Sequence, residues 1–322
     1  MDLDGKALPA KLRLRCLKVG QKTLNRYLQC IRDFENWCKN VYARNSGTLD
    51  SRVTRYITYL YDQDAELSEA TYLVYGLQLL RCQEPKEQFL VGSKLALAGW
   101  RKQSPGAMRL PVPEEFIFDL GTLALEQGRV DIAVLLCIQY DGYLRPSEAI
   151  TLTKEHVTSP QGRRYPHWGL IIAPSSLKET TKTGNSDDSI LLADRPHNRW
   201  MRDCMRLYMK HVDAELFPRL SLSQLESWCR QACTQLQYKT SVVMPHVLRH
   251  SGASNDAYHN RRPLNEIQKR GRWQARSSVS RYEKHSLLLA QWRQCAVGRK
   301  QVINNRSEAF PAQLLRTLRQ SG

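Results

Sequence analysis

Between residues 101 and 113 the chain reads RKQSPGAMRLPVP, in which Pro105, Gly106, Pro111 and Pro113 interrupt a basic, weakly apolar run. Proline removes a backbone donor and glycine widens backbone freedom, so neither helix nor strand passes through such a stretch. It reads as a linker. The 322 residues therefore divide into a domain at 1–105, a linker at 106–113 and a domain at 114–322. Each of the two domains is long enough for a core of its own, since domains typically run to about 100 to 200 residues.

The first domain carries helical periodicity and little else. In TLNRYLQCIRDFENWCKNVY (23–42), Leu24, Tyr27, Leu28, Ile31, Phe34, Trp37, Cys38 and Val41 recur at three- and four-residue steps, which describes one apolar helix face. The same spacing continues through VTRYITYLYDQ and ATYLVYGLQLLRC. The second domain opens with a helical pattern from Glu114 to Tyr140 and turns at DGYLRPSEA. Pro146 suits the first turn of a new helix, which puts Arg145 at a helix entrance. WGLIIAPSS, the polar run KETTKTGNSDD and SILLAD read as strand, turn and strand, with Lys182 in the turn. Helical pattern resumes at NRWMRDCMRLYMKH and SQLESWCRQACTQL and runs from Val247 to the end. The expected fold is mainly α, with a small antiparallel β-sheet in the second domain.

Charge narrows the partners. Lys and Arg number 48 against 31 Asp and Glu, a net +17, and such an excess favours polyanions. From His246 onward 15 Lys and Arg face only Asp256, Glu266, Glu283 and Glu308, so phosphate contact is expected there. The longest apolar stretch, IAVLLCIQY at 132–140, falls short of the ~20 residues a spanning helix needs. The start, MDLDGKALPAKLRLRC, lacks the apolar centre of a secretory signal. A soluble intracellular protein without a membrane partner is expected. Nine cysteines without a CxxC pair read as reduced thiols. Cys229, Cys233 and His246 have the residue types for zinc, but one helical turn between two core-facing cysteines accounts for that spacing, and no metal is expected.

Six scattered positions supply what a tyrosine needs to attack a phosphodiester: cations for the non-bridging oxygens, a proton donor for the leaving oxygen and a phenol. They are Arg145 in YLRPSEAITL, Lys182 in TKTGNSDDSILL, His246 and Arg249 in HVLRHSGAS, Trp273 in GRW and Tyr282 in SRYEK. Each has a plainer reading. Arg145 and Glu148 are spaced for a surface ion pair on a helix. His246, Arg249 and His250 fall within about one helical turn, as a structural histidine beside a solvated arginine also would. Trp273 and Tyr282, nine residues apart, would serve as aromatic core anchors.

Taken together, these motifs resemble the tyrosine recombinases of the phage-integrase family. H-x-L-R-H-S is reproduced without a gap, and the step from Trp273 to Tyr282 matches. The resemblance is strong across 130–290 and weak across 1–105. It implies a two-domain, C-shaped DNA clamp in which 1–105 is a helical core-binding domain and 114–322 a catalytic domain with a C-terminal helical tail. It further implies that Arg145, Arg249 and Trp273 donate to the scissile phosphate, Lys182 protonates the departing 5′ oxygen, His246 assists proton transfer and Tyr282 is the nucleophile. Glu148 and His250 support them. Lys178, four residues before Lys182, is the other candidate acid.

The implied product is a 3′-phosphotyrosine, formed without metal or nucleotide cofactor. The implied partners are double-stranded DNA with inverted repeats and further copies of the chain, in a tetrameric synaptic complex. A mobile element would encode such an enzyme, which would act on DNA in a bacterial cytoplasm or a nucleus. Recombinases often place a basic residue late in the hairpin, where this chain has Asp187 and Asp188. In the tail, Phe310, Leu314, Leu315 and Leu318 form an apolar face that must be buried on the chain's own core or on a neighbouring protomer. Two other readings share the site: a DNA-binding protein that no longer cleaves, and a topoisomerase of type IB.

Overall fold

The computed structural model describes residues 10–41, 47–81, 88–104, 110–181, 186–238, 244–283 and 285–320. The chain divides into two compact units, Met1–Met108 and Arg109–Gly322.

The first unit is helical among its described residues: α1 (Ala10–Cys16), α2 (Gln21–Val41), α3 (Leu49–Asp62), α4 (Leu67–Arg81) and α5 (Val91–Gln103). The apolar face read in α2 is buried through Leu24, Leu28, Ile31, Phe34 and Cys38. Its approach to α4 is close, because a Cβ on Gly76 would stand 2.9 Å from that of Tyr27. Asp50 ties α3 to α5 by accepting from the backbone N–H groups of Gly92 (2.7 Å) and Ser93 (2.9 Å). Those are N–H groups that a helix start leaves without an internal partner.

The second unit is built around a buried pair, α6 (Glu114–Glu126) and α7 (Val130–Asp141). The periodicity predicts one helix over this stretch. The chain breaks it at Gly128, whose φ of +70° is a conformation glycine adopts at no steric cost. The short α8 (Pro146–Ile150) follows, then three strands, β1 (Val157–Thr158), β2 (Trp168–Ile172) and β3 (Asp188–Leu192). They form one antiparallel sheet in the order β1-β2-β3, with Val157 opposite Leu170 and Trp168 opposite Leu192. The hairpin is the one expected. The two-residue β1 is an addition too short to leave a periodic signature.

Asp187 has φ +56° and closes the base of the hairpin: its carboxylate accepts from the Ser175 N–H (2.8 Å) and its own N–H donates to Ala173 O (3.0 Å). The acidic residue in the hairpin's second half is therefore a turn residue. Helices α9 (Trp200–His211), α10 (Leu222–Gln235), α11 (Pro245–Tyr258), α12 (Leu264–Arg270), α13 (His285–Gln294) and α14 (Val297–Gln320) complete the unit.

The tail, α14, packs on α6 and α9 of its own chain. Ile303, Phe310, Leu314 and Leu318 are buried in the core of the unit. A Cβ on Gly121 would stand 2.6 Å or less from two carbons of the Phe310 ring, so α6 presents a glycine where the tail seats its aromatic. Beside it lies fully buried Asp119, which accepts from Tyr238 Oη, from Arg306 Nε and from Arg299 Nη2 (2.9 Å). Of the two covers open to the tail's apolar face, the chain's own core supplies it.

Candidate active site

Arg145 is the N-cap of α8, in extended backbone (φ −66°, ψ 147°), with Pro146 starting the helix. The Glu148 side chain reaches back to the Arg145 N–H at 2.7 Å and accepts from Arg145 Nη1 at 2.5 Å. The pair spaced like a surface salt bridge is thus a capping contact that fixes the guanidinium at the helix entrance, with the Arg145 side chain 23% exposed.

Helix α11 delivers Arg249. Pro245 starts the helix, and Gly252 lets it approach the end of α7, because a Cβ there would lie 2.2 Å from Tyr140 O. Arg249 is then buried and donates from Nη1 to Tyr143 O (2.5 Å) and from Nη2 to Gly271 O. Tyr143 holds its carbonyl in place from a left-handed conformation (φ +47°), and its hydroxyl donates to buried Asp256. The Arg249 guanidinium also stands 4.9 Å from the centroid of the Trp273 ring, within cation–π range.

Trp273 lies 4.9 Å, centroid to centroid, from Tyr282. Tyr282 sits on a 3-10 turn, Ser280–Glu283, where the periodicity predicts continuing α-helix, and it is buried. Its hydroxyl is 2.8 Å from Nδ1 of His250, one α-helical step beyond Arg249. His246, one turn earlier on α11, is solvent-exposed. Lys182 lies outside the described residues. Lys178 is exposed, in a left-handed conformation (φ +58°) at the end of a 3-10 turn.

One residue the motif reading passed over completes the cluster. Arg272 follows the end of α12, and its Nη2 donates to Glu148 Oε2 at 2.5 Å. The carboxylate thus gathers Arg145 and Arg272 by hydrogen bonds and has Arg249 at 3.9 Å. The only trace in sequence is that Arg272 stands between Gly271 and Trp273. Burial opposes the Glu148 charge, yet Arg272 and Arg145 hold its carboxyl below the usual range. Burial, followed by repulsion from Arg272 and Arg145, pulls the Arg249 guanidinium down to about 10. Beside Arg145 and Glu148 opens a cleft of about 220 Å³, lined also by His156, Glu179 and Thr181.

Chemically, the arrangement offers a guanidinium cluster short of counter-charge, an indole packed against one guanidinium, and a phenol hydrogen-bonded to an imidazole. Phosphate and carboxylate oxygens are the groups that planar guanidinium donors match. Among the described residues, no group of three or more His, Cys, Asp or Glu side chains is placed to hold a metal ion, and no helix is long and apolar enough to cross a membrane.

No family model matches the chain, and no curated protein matches it. Among solved structures it is similar to the XerH site-specific recombinase bound to its difH substrate in a pre-cleavage complex, at 15% identity over 87% of this chain and 93% of that one, with a TM-score of 0.42. It is similar to the same recombinase on a palindromic difH substrate after cleavage, at 14% identity over 84% and 97%, with a TM-score of 0.42. It is also similar to the XerA recombinase, at 15% identity over 88% and 97%, with a TM-score of 0.38.

Proposed function

We propose that this chain breaks and rejoins DNA as a site-specific recombinase of the tyrosine type. The observation that carries the reading is the contact between the Tyr282 hydroxyl and His250 Nδ1, 2.8 Å apart, with Trp273 touching both the phenol and the Arg249 guanidinium. A phenol with an ordinary pKa of about 10 is a weak nucleophile at neutral pH. A hydrogen-bonded base and nearby cations are what activate it.

In the proposed reaction, Tyr282 Oη attacks the scissile phosphorus and its proton passes to His250 Nδ1. The bond from phosphorus to the 5′ oxygen breaks, and the 5′ oxygen takes a proton from Lys182, or from Lys178 if the hairpin presents that residue. The products are a 3′-phosphotyrosine and a free 5′-hydroxyl. Attack by another strand's 5′-hydroxyl reverses the step and releases Tyr282. Guanidinium donors of Arg145 and Arg249 meet the charge that builds on the non-bridging oxygens, the electrostatic contribution that usually dominates such catalysis. The Trp273 indole brings a donor and no titratable proton, which suits it to packing and hydrogen bonding. His246 assists proton transfer from the outer face of α11.

DNA is the partner this chemistry requires, and the net +17 of the chain favours it. Residues 1–105 then form the core-binding half of a clamp on an inverted-repeat site, where four protomers exchange strands for a mobile element. The experiment is selection of bound DNA from a random library, followed by denaturing gels of nicked suicide substrates. Wild type should form a covalent adduct that Tyr282→Phe does not. Tight binding of a selected sequence without any adduct would replace the enzyme by a DNA-binding protein. Relaxation of plasmids lacking any selected site would favour a topoisomerase.

A further inference from the structure

Arg272 occupies a backbone conformation that works against it. Its φ of +55° is left-handed, and the N–H groups of Gly271, Arg272 and Trp273 close the end of α12 onto Ile267 O, Lys269 O and Gln268 O. Glycine is the residue that adopts this helix-terminal position without steric penalty. Here the glycine stands one place earlier and an arginine takes the strained position.

The side chain carries a second cost. It is 8% exposed, and among the described residues its Nε and Nη1 have no hydrogen-bond partner. Buried donors left without partners are destabilising, and more so on a charged group. Two costs on one residue, inside a cluster of chemical groups, point to a use there.

The use follows from counting charges around Glu148. Its carboxylate is hydrogen-bonded to Arg145 and Arg272 and has Arg249 at 3.9 Å. With Arg272 present, three guanidiniums meet one carboxylate and two positive charges remain uncompensated. Without it, the carboxylate would cancel one of the two cations offered to the phosphate, leaving a single charge. A pentacoordinate phosphorus formed from a phosphodiester and a phenolate carries two negative charges, so the complete cluster matches it and the depleted one does not.

We infer that Arg272 is a positioning residue that sets the charge of this anion site: by engaging Glu148 it leaves the cluster of Arg145 and Arg249 a net charge of two with which to bind a dianionic phosphoryl group. The inference rests on the reading of the site given above, yet anion binding can be measured apart from DNA cleavage.

The test uses the full chain with orthophosphate as probe, following the thermal unfolding midpoint as phosphate is added, beside Tyr282 adduct formation on a suicide substrate. The variants are Arg272→Gly, which suits the left-handed backbone, Arg272→Gly combined with Glu148→Gln, and Arg272→Lys. Glutamine at 148 retains the oxygen that caps Arg145. Wild type should be stabilised by phosphate. Arg272→Gly should lose most of that stabilisation and about 10²-fold in adduct rate, the order expected for one electrostatic partner. The double variant, with two positive charges restored, should recover the phosphate response and at least part of the rate, and Arg272→Lys should retain the response.

An Arg272→Gly chain that responds like wild type would overturn the inference. So would failure of the double variant to recover, since a purely structural role is not rescued by removing a charge elsewhere. A wild type indifferent to phosphate would also overturn it. A phosphate response that follows this pattern in a protein forming no adduct would sink the recombinase reading and leave the charge-setting role of Arg272 standing.

Discussion

The Tyr282 hydroxyl lies 2.8 Å from His250 Nδ1, while His246, one turn earlier on the same helix, is exposed. The spacing in HVLRHSGAS puts both histidines near Arg249 and does not say which one meets the phenol. The meeting is decided by the 3-10 turn Ser280–Glu283, which brings the tyrosine back against α11.

Tyr282→Phe should abolish covalent adduct formation and leave DNA binding intact. His250→Ala should slow adduct formation by about 10² to 10⁴, the usual range for removing a positioned acid or base. Single-turnover rates on suicide substrates check both. A His250→Ala rate equal to wild type would remove His250 from the proton path.

The tail is part of the second unit's own core. Asp119 is fully buried and accepts from Tyr238, Arg299 and Arg306. Asp119→Ala should destabilise the protein by about 1 to 3 kcal/mol, because it takes a shared acceptor from the Tyr238 hydroxyl and from two partly exposed guanidiniums. Deleting residues 305–322 removes Phe310, Leu314 and Leu318, should bare the faces of α6 and α9 that they cover, and should cause unfolding. Denaturant melts of both variants give the measurement, and a deletion that melts like the full chain would contradict the packing.

Gly252→Ala should cost about 1 to 3 kcal/mol, as overpacking does, because its new Cβ would stand 2.2 Å from Tyr140 O. By pushing α11 away from Tyr143 it should also slow the adduct step. Circular-dichroism melts together with single-turnover rates separate the two effects.

Stability should fall on the acid side of pH 6.5. Burial holds the imidazoles of His197 and His259 below the ordinary 6.5, and Arg261 adds repulsion at both. The unfolded chain takes up these protons more readily than the folded one, so this contribution is complete above 6.5 and is lost as pH drops toward the depressed folded values. Glu114 extends the fall. Burial opposes its charge, but Arg261 holds the carboxyl below its ordinary 4.5, and stability present above that value is lost as the carboxyl protonates. His197→Asn should flatten the upper part of a plot of unfolding midpoint against pH.

Periodicity revealed α2, the hairpin of β2 and β3, and the helix entrance at Arg145, because each rests on residues close in sequence. It ran α6 and α7 together, since both are apolar on nearly all sides and only Gly128 marks the break. The motifs singled out Arg145, Arg249, Trp273 and Tyr282 but not the contacts among them. Arg272 stayed hidden because its meaning depends on a left-handed backbone and on Glu148, 124 positions away. The tail's cover was equally unreadable, because Gly121 and Asp119 on α6 acquire their roles only when Phe310 and Arg306 arrive.

The most direct measurement of the central claim is peptide mapping by mass spectrometry of protein trapped on a nicked suicide substrate. The expected result is a single modified peptide with a 3′-phosphonucleotide on Tyr282. The nucleotide on any other residue, or no modified peptide from protein that binds the site tightly, would contradict the assignment of Tyr282 as the nucleophile.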